Sequence, residues 1–317
     1  MNALHAIVQG IIQGITEFLP ISSSGHLSLY QHFFGVGGEG SVFFNLMLHL
    51  GTLVAVVAAF FEDVAALFRE VIACVKDIFT GKFSLKTESE SRKLLFMLVI
   101  ATLPLLLVAL LNNFVTGVSE DNDIVVEGVC FLITAGLLFT ACKVKPGKSG
   151  IRQLKPQSAL AIGVVQGIAS LPGISRSGST ISAGMIFGFD RSFMVKFSFL
   201  MSIPAILGGV VFEIGDVAEQ GIDVKAGPVA LGVLAAAVFG YISIIFIQKL
   251  VLSQKFVYFA WYTLILGCVV ILIGIVEHIS SAMGFDARVS SQVATSVSSG
   301  VEAVLGAFSR GVFGRAV

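Results

Sequence analysis

Long apolar runs separated by short polar segments make up most of this chain. Six of these runs are long enough to cross a bilayer as helices. They lie at about residues 42–61, 94–112, 124–142, 193–214, 228–247 and 257–277. The pattern therefore predicts an all-α polytopic membrane protein with six transmembrane helices.

Two further apolar stretches are interrupted by polar residues and by helix-breaking Pro and Gly. In the first, a helix over 4–19 is followed by a loop at 20–26 and a short apolar run over 27–34. The second covers 158–188 and has the same plan. Non-helical backbone at membrane depth is tolerated where it lines a cavity or is packed in protein. Each stretch is therefore predicted to be a re-entrant helical hairpin.

The two hairpins belong to an internal repeat. Val-Val-Gln-Gly-Ile at 164–168 matches Ile-Ile-Gln-Gly-Ile at 11–15, and 164 − 11 gives an offset of 153. Phe197–Leu200 aligns with Phe44–Met47 at the same offset. The repeats cover about 1–142 and 158–277, and each holds one hairpin and three crossings. Because three is odd, the second repeat must be inverted, and such repeats place a binding site where their broken helices meet.

Charge is scarce and unevenly distributed. Only 13% of the 317 residues are charged, against about 25% in soluble domains, and a net charge of zero gives no case for a nucleic-acid partner. Lys and Arg concentrate in 62–93, 143–157 and 248–256, whereas 113–123 carries only acidic charges. The positive-inside rule places the basic segments in the cytoplasm and the first hairpin at the outer side.

Other segments are less informative. Residues 64–79 form an amphipathic pattern expected to lie on the membrane surface. Because the first Lys or Arg is Arg69, no secretory signal peptide is expected. The four cysteines form no C-x-x-C and are interpreted as core thiols. Residues 1–277 form the membrane domain, and 278–317 are interpreted as an extension, partly disordered or interfacial.

The first hairpin carries reactive side chains. Gln13 and Glu17 share a helix face, and Ser22, Ser23, Ser24 and His26 follow within one turn. Glu17 could make a structural hydrogen bond, act as a general base or bind a metal. The serines could cap a helix, or the central one could be a nucleophile activated by His26 or Glu17.

The second hairpin carries a phosphate-binding pattern. Pro172 to Thr180 reads Pro-Gly-Ile-Ser-Arg-Ser-Gly-Ser-Thr, and the next helix is expected to begin near Ser179. A helix N-terminus favours an anion, and the planar fork of Arg176 matches phosphate. The alternative is that Arg176 extends to a membrane interface. The predicted phosphate-binding residues are Gly173, Ser175, Arg176, Ser177, Gly178 and Thr180. His49, inside a span, is interpreted as a helix–helix hydrogen bond more readily than as a ligand.

These two motifs resemble those of the bacterial undecaprenyl-diphosphatase family, the integral membrane phosphatases of the bacitracin-resistance type. Residues 13–26 resemble the family's (E/Q)-x-x-x-E motif with its Ser-Gly-His turn, and 172–180 resemble P-G-x-S-R-S-x-x-T. Gln13 stands where many members have Glu, which puts a two-carboxylate metal mechanism in doubt. The resemblance covers about 4–277.

The resemblance implies a hydrolase that converts undecaprenyl diphosphate to undecaprenyl phosphate and inorganic phosphate. It thereby implies recycling of the carrier lipid for peptidoglycan synthesis, and bacitracin resistance. It further implies a multi-pass protein of the bacterial cytoplasmic (inner) membrane with an outward-facing site. The divalent cation is expected to be Mg²⁺ or Ca²⁺, with Glu17 as its ligand, and a homodimer is left open. Glu17, Ser23, His26 and Arg176 are carried over as catalytic residues, with Gln13, Ser22 and Ser24 at the substrate.

The mechanism and the function each keep an alternative. Ser23 could attack the terminal phosphorus, or water could attack with Ser23 as a ligand only. A transporter or flippase of polyprenyl phosphates would need the same phosphate clamp, since inverted repeats with broken helices are also a transporter architecture. A lipid-binding protein without catalysis is the third interpretation.

Overall fold

The computed structural model of this chain describes residues 2–36, 41–84, 89–110, 124–145, 147–220, 225–252 and 255–282. Within these ranges the secondary structure is helical, with an isolated β-bridge between Ser149 and Phe189. The helices are α1 Ala3–Phe18, α2 Ser23–Phe34, α3 Ser41–Ala59, α4 Phe61–Phe79, α5 Glu90–Leu110, α6 Ile124–Lys143, α7 Pro156–Ile168, α8 Arg176–Ile186, α9 Arg191–Gln220, α10 Ala226–Leu252 and α11 Val257–Ala282. The predicted acidic loop at 113–123, and the extension beyond 282, lie outside the described residues.

Six of these helices are long and apolar enough to cross a membrane. They are α3, α5, α6, α9, α10 and α11, with candidate spans at Val42–Ala59, Glu90–Val108, Ile124–Lys143, Arg191–Phe212, Ala226–Leu250 and Val257–Ser281. The prediction of an all-α protein with six spans is therefore confirmed for the part of the chain that is described.

The helix α4 follows α3 directly. Its polar side forms ion pairs with the start of α5. The Arg92 guanidinium, at the start of α5, donates to Glu70 at 2.9 Å and to Asp77 at 2.8 Å. The hydrogen bond from Arg92 lowers the pKa of the Glu70 carboxyl. Large apolar side chains such as Phe68 and Phe79 remain exposed on α4. The predicted amphipathic helix is confirmed, and its place on the membrane surface stays a prediction.

The helices α1 and α2, the first helix pair, are joined by a tighter turn than expected. The side chain of Ser22 accepts a hydrogen bond from the Gly25 backbone N–H at 3.3 Å and caps α2, which begins at Ser23. The predicted loop over 20–26 is therefore wrong in its second half, and His26 lies within a helix. Ser22 has a φ of 72°, the one positive φ among the described non-glycine residues. This conformation is uncommon outside glycine.

In the second helix pair, α7 and α8, the helix α8 begins three residues earlier than predicted. Ser175, not a residue near 179, is the N-cap of α8, and its hydroxyl accepts from the Gly178 N–H at 3.0 Å. A serine at this position satisfies a backbone donor that has no partner within the helix. Arg176 is consequently the first residue of α8.

The open end of each helix pair, the end opposite its turn, contacts a different part of the bundle. The His5 ring, near the start of α1, lies 2.7 Å from the Tyr30 hydroxyl of α2, and His32 lies 3.1 Å from Glu277, near the end of α11. The open end of the α7–α8 pair instead contacts the segment after α6, where the Asp190 N–H donates to the Ser149 carbonyl at 2.9 Å.

Glycines allow the first helix of each pair to pack closely against a spanning helix. A Cβ at Gly10 of α1 would lie 2.3 Å from the Gly232 carbonyl oxygen of α10. A Cβ at Gly163 of α7 would lie 2.3 Å from the Ala101 carbonyl oxygen of α5. Small residues let helix backbones approach in this way in membrane proteins.

This packing predicts that Gly10→Ala destabilises the protein by about 1–3 kcal/mol, because the new methyl group would meet backbone rather than a flexible side chain. Gly136→Ala in α6 is the matched control, since a Cβ at Gly136 has no neighbour within 4 Å. We expect the control to unfold at the wild-type temperature or slightly above it. Thermal unfolding in detergent measures both, and equal behaviour of the two variants would contradict the packing argument.

Candidate active site

Two helix N-termini meet at one cavity. The helix α2 begins at Ser23 and α8 begins at Arg176, and both residues line a cavity of about 270 Å³. Its polar wall consists of Thr16, Glu17, Ser22, Ser23, Ser24, His49, Gln166, Ser170, Ser175, Arg176 and Ser177, and its apolar wall includes Leu46, Leu105, Ala205 and Ile206. Unpaired N–H groups and the helix dipole make such N-termini favourable for anions.

Glu17 is the residue on which the two helix pairs converge. Its carboxylate is only 6% exposed. One oxygen, Oε2, accepts from the Ser23 hydroxyl at 2.6 Å and from the Gln13 amide at 3.0 Å. The other, Oε1, accepts from the Arg176 guanidinium. The predicted proximity of Glu17 and Ser23 to Arg176, from opposite halves of the chain, is confirmed.

Two further hydrogen bonds join the turns of the two helix pairs. The Gly173 N–H donates to the Ser24 hydroxyl at 3.2 Å, and the Ser177 hydroxyl donates to the Leu19 carbonyl at 3.1 Å. Ser24 and Ser177 therefore have structural partners in addition to their place in the cavity wall. These contacts fix Ser23 relative to Arg176.

His26 faces away from the Glu17–Ser23 contact. Its Nδ1 lies 2.7 Å from the Ser22 carbonyl oxygen and its Nε2 lies 2.7 Å from the Tyr262 hydroxyl, with the two rings stacked at 5.7 Å. Because a carbonyl only accepts, Nδ1 carries the proton and Nε2 accepts from Tyr262. Of the two candidate bases for Ser23, Glu17 contacts its hydroxyl, whereas both nitrogens of His26 are engaged elsewhere.

Three predicted phosphate-binding residues are not part of the cavity wall. The Gly178 N–H is used by the cap on Ser175. The Thr180 hydroxyl donates to the Arg176 carbonyl at 2.9 Å and lies 2.7 Å from the Ser198 hydroxyl. Gly173 has a φ of 87°, and a Cβ there would lie 2.7 Å from the Cys130 Cβ. These residues hold the N-terminus of α8 in place, and their predicted contact with phosphate stays a prediction.

His49 and Gln166 lie at the cavity although neither was among the predicted site residues. His49 lines the cavity, and its Nδ1 accepts from the Gln13 amide at 2.9 Å and lies 3.6 Å from the Glu17 carboxylate. Gln166 also lines the cavity. The signal for Gln166 was available, since it is the repeat equivalent of Gln13 at the offset of 153. For His49 the interpretation as a helix–helix hydrogen bond is confirmed, since its partner Gln13 lies on α1.

The donor set for a metal ion is small. In the described ranges no group of three or more His, Cys, Asp or Glu side chains is arranged to hold a metal. The buried Oε1 of Gln13, however, has no hydrogen-bond partner among the described residues, and Glu17 provides a carboxylate on the same helix face. One carboxylate and one amide oxygen fit a cation such as Mg²⁺, which keeps water ligands and shares phosphate oxygens with a substrate.

Comparison with known proteins gives a family for this arrangement. Residues 6–269 match the model of the family described as bacitracin resistance protein BacA. The chain belongs to the BacA family. The matched residues include Glu17, Ser23, His49, Gln166 and Arg176, so the whole polar wall of the cavity lies within the BacA match.

Individual relatives agree with the BacA assignment. An undecaprenyl-diphosphatase of Alkaliphilus metalliredigens is 40% identical over 86% of this chain and 98% of the relative. The undecaprenyl-diphosphatase of Desulfosudis oleivorans is 38% identical over 86% of this chain and 99% of its own length. The undecaprenyl-diphosphatase of Methanosphaera stadtmanae is 34% identical over 87% of this chain and 99% of the relative. Each relative is therefore matched over nearly its whole length.

Proposed function

We propose that this protein hydrolyses undecaprenyl diphosphate to undecaprenyl phosphate and inorganic phosphate, and so recycles the carrier lipid of peptidoglycan synthesis. The observation that carries the proposal is the contact of Glu17 with both the Ser23 hydroxyl and the Arg176 guanidinium. A hydroxyl next to a carboxylate provides a nucleophile with its base, and the guanidinium provides charge for a phosphate. The relatives' common name as diphosphatases supports this reading over the transporter alternative.

The diphosphate is bound at the two helix N-termini. Arg176 keeps part of its guanidinium towards the cavity, where it can bind phosphate oxygens while one nitrogen donates to Glu17. The apolar wall, with Leu46, Leu105 and Ile206, suits the first units of a prenyl chain. Phosphoryl transfer depends mainly on such positioning and on electrostatic stabilisation of the transferred group.

Glu17 is the base of the reaction. In one route it takes the proton of Ser23 as that oxygen attacks the terminal phosphorus, and the bond from phosphorus to the bridging oxygen breaks. In the other route Glu17 takes the proton of a water that attacks directly, and Ser23 binds the phosphate. Trapping of a phosphoserine at Ser23 separates the two routes.

A divalent cation would be held by the carboxylate of Glu17 and the amide oxygen of Gln13. When bound, such an ion neutralises charge on the phosphate oxygens. Gln13 also has a role that needs no cation. Its amide N–H₂ donates to Glu17 and to His49 and so fixes the position of the Glu17 carboxylate.

We infer the orientation in the membrane from the charges and the helix contacts. The basic segments lie in the cytoplasm of the bacterial inner membrane by the positive-inside rule, and the open end of the first pair lies outside. The contact of His32 with Glu277 and that of Asp190 with Ser149 support opposite directions of insertion for the two re-entrant pairs. The equivalent glycines Gly10 and Gly163 support the inverted repeat. We propose that the cavity opens to the outer face.

Phosphate release from undecaprenyl diphosphate by the purified full-length protein in detergent tests the proposal. We expect release by wild type and its loss with a chelator, with recovery on addition of Mg²⁺ or Ca²⁺. No release by folded wild type under either cation would overturn the enzymatic function. Unchanged phosphate release in the presence of the chelator would overturn only the proposed dependence on a divalent cation.

His26 acts in this proposal by positioning Ser23 rather than by accepting its proton. The Nδ1–H holds the carbonyl of Ser22, the residue of positive φ next to Ser23. We expect His26→Ala to lower kcat by about 10²-fold, as small displacements of reacting groups do. His26→Asn keeps an N–H near the Nδ1 position and is expected to recover most of that loss.

The pH dependence of kcat checks this role. If His26 only positions Ser23, Tyr262→Phe lowers kcat without moving the acidic limb of the profile, because the titrating base is still Glu17. A His26→Asn variant as inactive as His26→Ala, together with loss of the acidic limb, would assign the proton transfer to His26 instead.

A further inference from the structure

Gln166 is a buried amide whose polar atoms have no partner among the residues that the structure describes. It lies in the last full turn of α7, it is 1% exposed, and within the described ranges neither Nε2 nor Oε1 makes a hydrogen bond. Buried polar groups are nearly always paired, so an amide with both atoms unpaired requires an explanation. The side chain lines the same cavity as Glu17, Ser23 and Arg176.

The repeat shows why Gln166 differs from its equivalent, Gln13. The amide of Gln13 donates to Glu17, four residues later on the same helix face. Four residues after Gln166 stands Ser170, whose hydroxyl donates to the Gly167 carbonyl at 2.7 Å within its own turn. The second repeat thus places a glutamine at the cavity for which the described part of the chain offers no hydrogen-bond partner.

We infer that Gln166 binds the reacting phosphate and orients the attacking water. This inference rests on the proposed hydrolysis. The Nε2 atom donates to a phosphate oxygen, which can only accept in its ionised form. The Oε1 atom cannot face another phosphate oxygen without repulsion, so it accepts from a water molecule beside the phosphorus.

The chemical step then balances as follows. The water hydrogen-bonded to Oε1 directs a lone pair at phosphorus, and the new P–O bond forms. The bond from phosphorus to the leaving oxygen breaks, that oxygen belonging to undecaprenyl phosphate in the direct route and to Ser23 in the phosphoserine route. In the direct route the proton of the water passes to the Glu17 carboxylate. In the phosphoserine route Glu17, which holds the proton taken from Ser23, returns it to the Ser23 oxygen as that oxygen leaves and takes the proton of the water in its place. A glutamine that orients the attacking water is established in GTP hydrolysis.

The test is Gln166→Leu in the full-length protein, with Gln9→Leu as the matched control. Gln9 is also a fully buried glutamine, but it bonds to Gln31 at 3.0 Å and is not among the cavity-lining residues. Three quantities are measured for each variant: kcat and KM for undecaprenyl diphosphate, the unfolding temperature, and the rise of that temperature with a methylene diphosphonate analogue of the substrate.

We expect Gln166→Leu to lower kcat at least 30-fold, to raise KM less than tenfold and to unfold at or above the wild-type temperature, because an unpaired amide is removed. The analogue should stabilise it less than wild type. Gln9→Leu should unfold at a lower temperature and keep the response to the analogue. Gln166→Leu with wild-type kcat, or with a lowered unfolding temperature and an unchanged response to the analogue, would overturn the inference. If folded wild type releases no phosphate, the proposed hydrolysis itself is overturned, and this result is distinct from a failure at Gln166.

Discussion

Replacing Arg176 with alanine is expected to lower kcat for undecaprenyl diphosphate by about 10³-fold or more, the effect of removing an arginine that stabilises a phosphoryl-transfer transition state. Arg176 is the first residue of α8, so its charge adds to the anion-favouring helix N-terminus. It also holds Glu17 Oε1. Removing it therefore weakens both phosphate binding and the placement of the base.

Arg176→Lys separates charge from geometry. Lysine keeps the positive charge but loses the planar fork, so it should hold either Glu17 or the phosphate and recover only part of the activity. Arg152→Ala is the control, because Arg152 is 79% exposed and pairs with Glu90 at the surface. Surface pairs contribute about 0–1 kcal/mol. An Arg176→Ala variant with the kcat of Arg152→Ala would contradict the assignment.

Replacing Glu17 with glutamine is expected to lower kcat by about 10²–10⁴-fold, the usual contribution of a general base. The glutamine keeps the shape of the side chain and can still accept from the Ser23 hydroxyl, but it cannot take the proton. Arg176 would also lose its counter-charge and bind phosphate more readily, so KM should stay constant or fall. Steady-state phosphate release over a range of substrate concentrations gives both values.

Two variants show whether this loss comes from the chemistry. Glu277→Gln is the matched control, since Glu277 pairs with His32 away from the cavity wall, and it should retain wild-type kcat. Ser23→Ala removes the partner hydroxyl. If Ser23 is the nucleophile, it should be as inactive as Glu17→Gln, and residual activity close to wild type would favour direct attack by water. Full activity of Glu17→Gln would remove Glu17 from the mechanism.

The elements that depend on local sequence were predictable. A run of about 20 apolar residues has few alternatives to a spanning helix in a membrane, and all six spans were located from this rule. The family motifs at 13–26 and 172–180 likewise located the two turns. The errors fell at helix starts: Ser22 and Ser175 cap their helices, and whether a serine caps a helix or lies in a loop depends on one side-chain hydrogen bond.

The composition of the site depended on contacts between distant segments. Nothing near His26 in the sequence indicates that Tyr262 would take its Nε2, and nothing near His49 indicates the Gln13 amide. Both contacts join residues on different helices, and helix rotation and depth are set by packing, such as that of Gly10 on Gly232.

The sequence by itself thus determined the class of protein, the spans, the repeat and the two reactive motifs, because hydrophobicity and motif spacing are local properties. Only the tertiary structure decided that Glu17 contacts Ser23 while His26 holds the Ser22 backbone. It also decided that Gln166 is left unpaired at the cavity. The physical reason is that a hydrogen bond requires atoms within about 3 Å, and such distances between helices are fixed by how their surfaces pack.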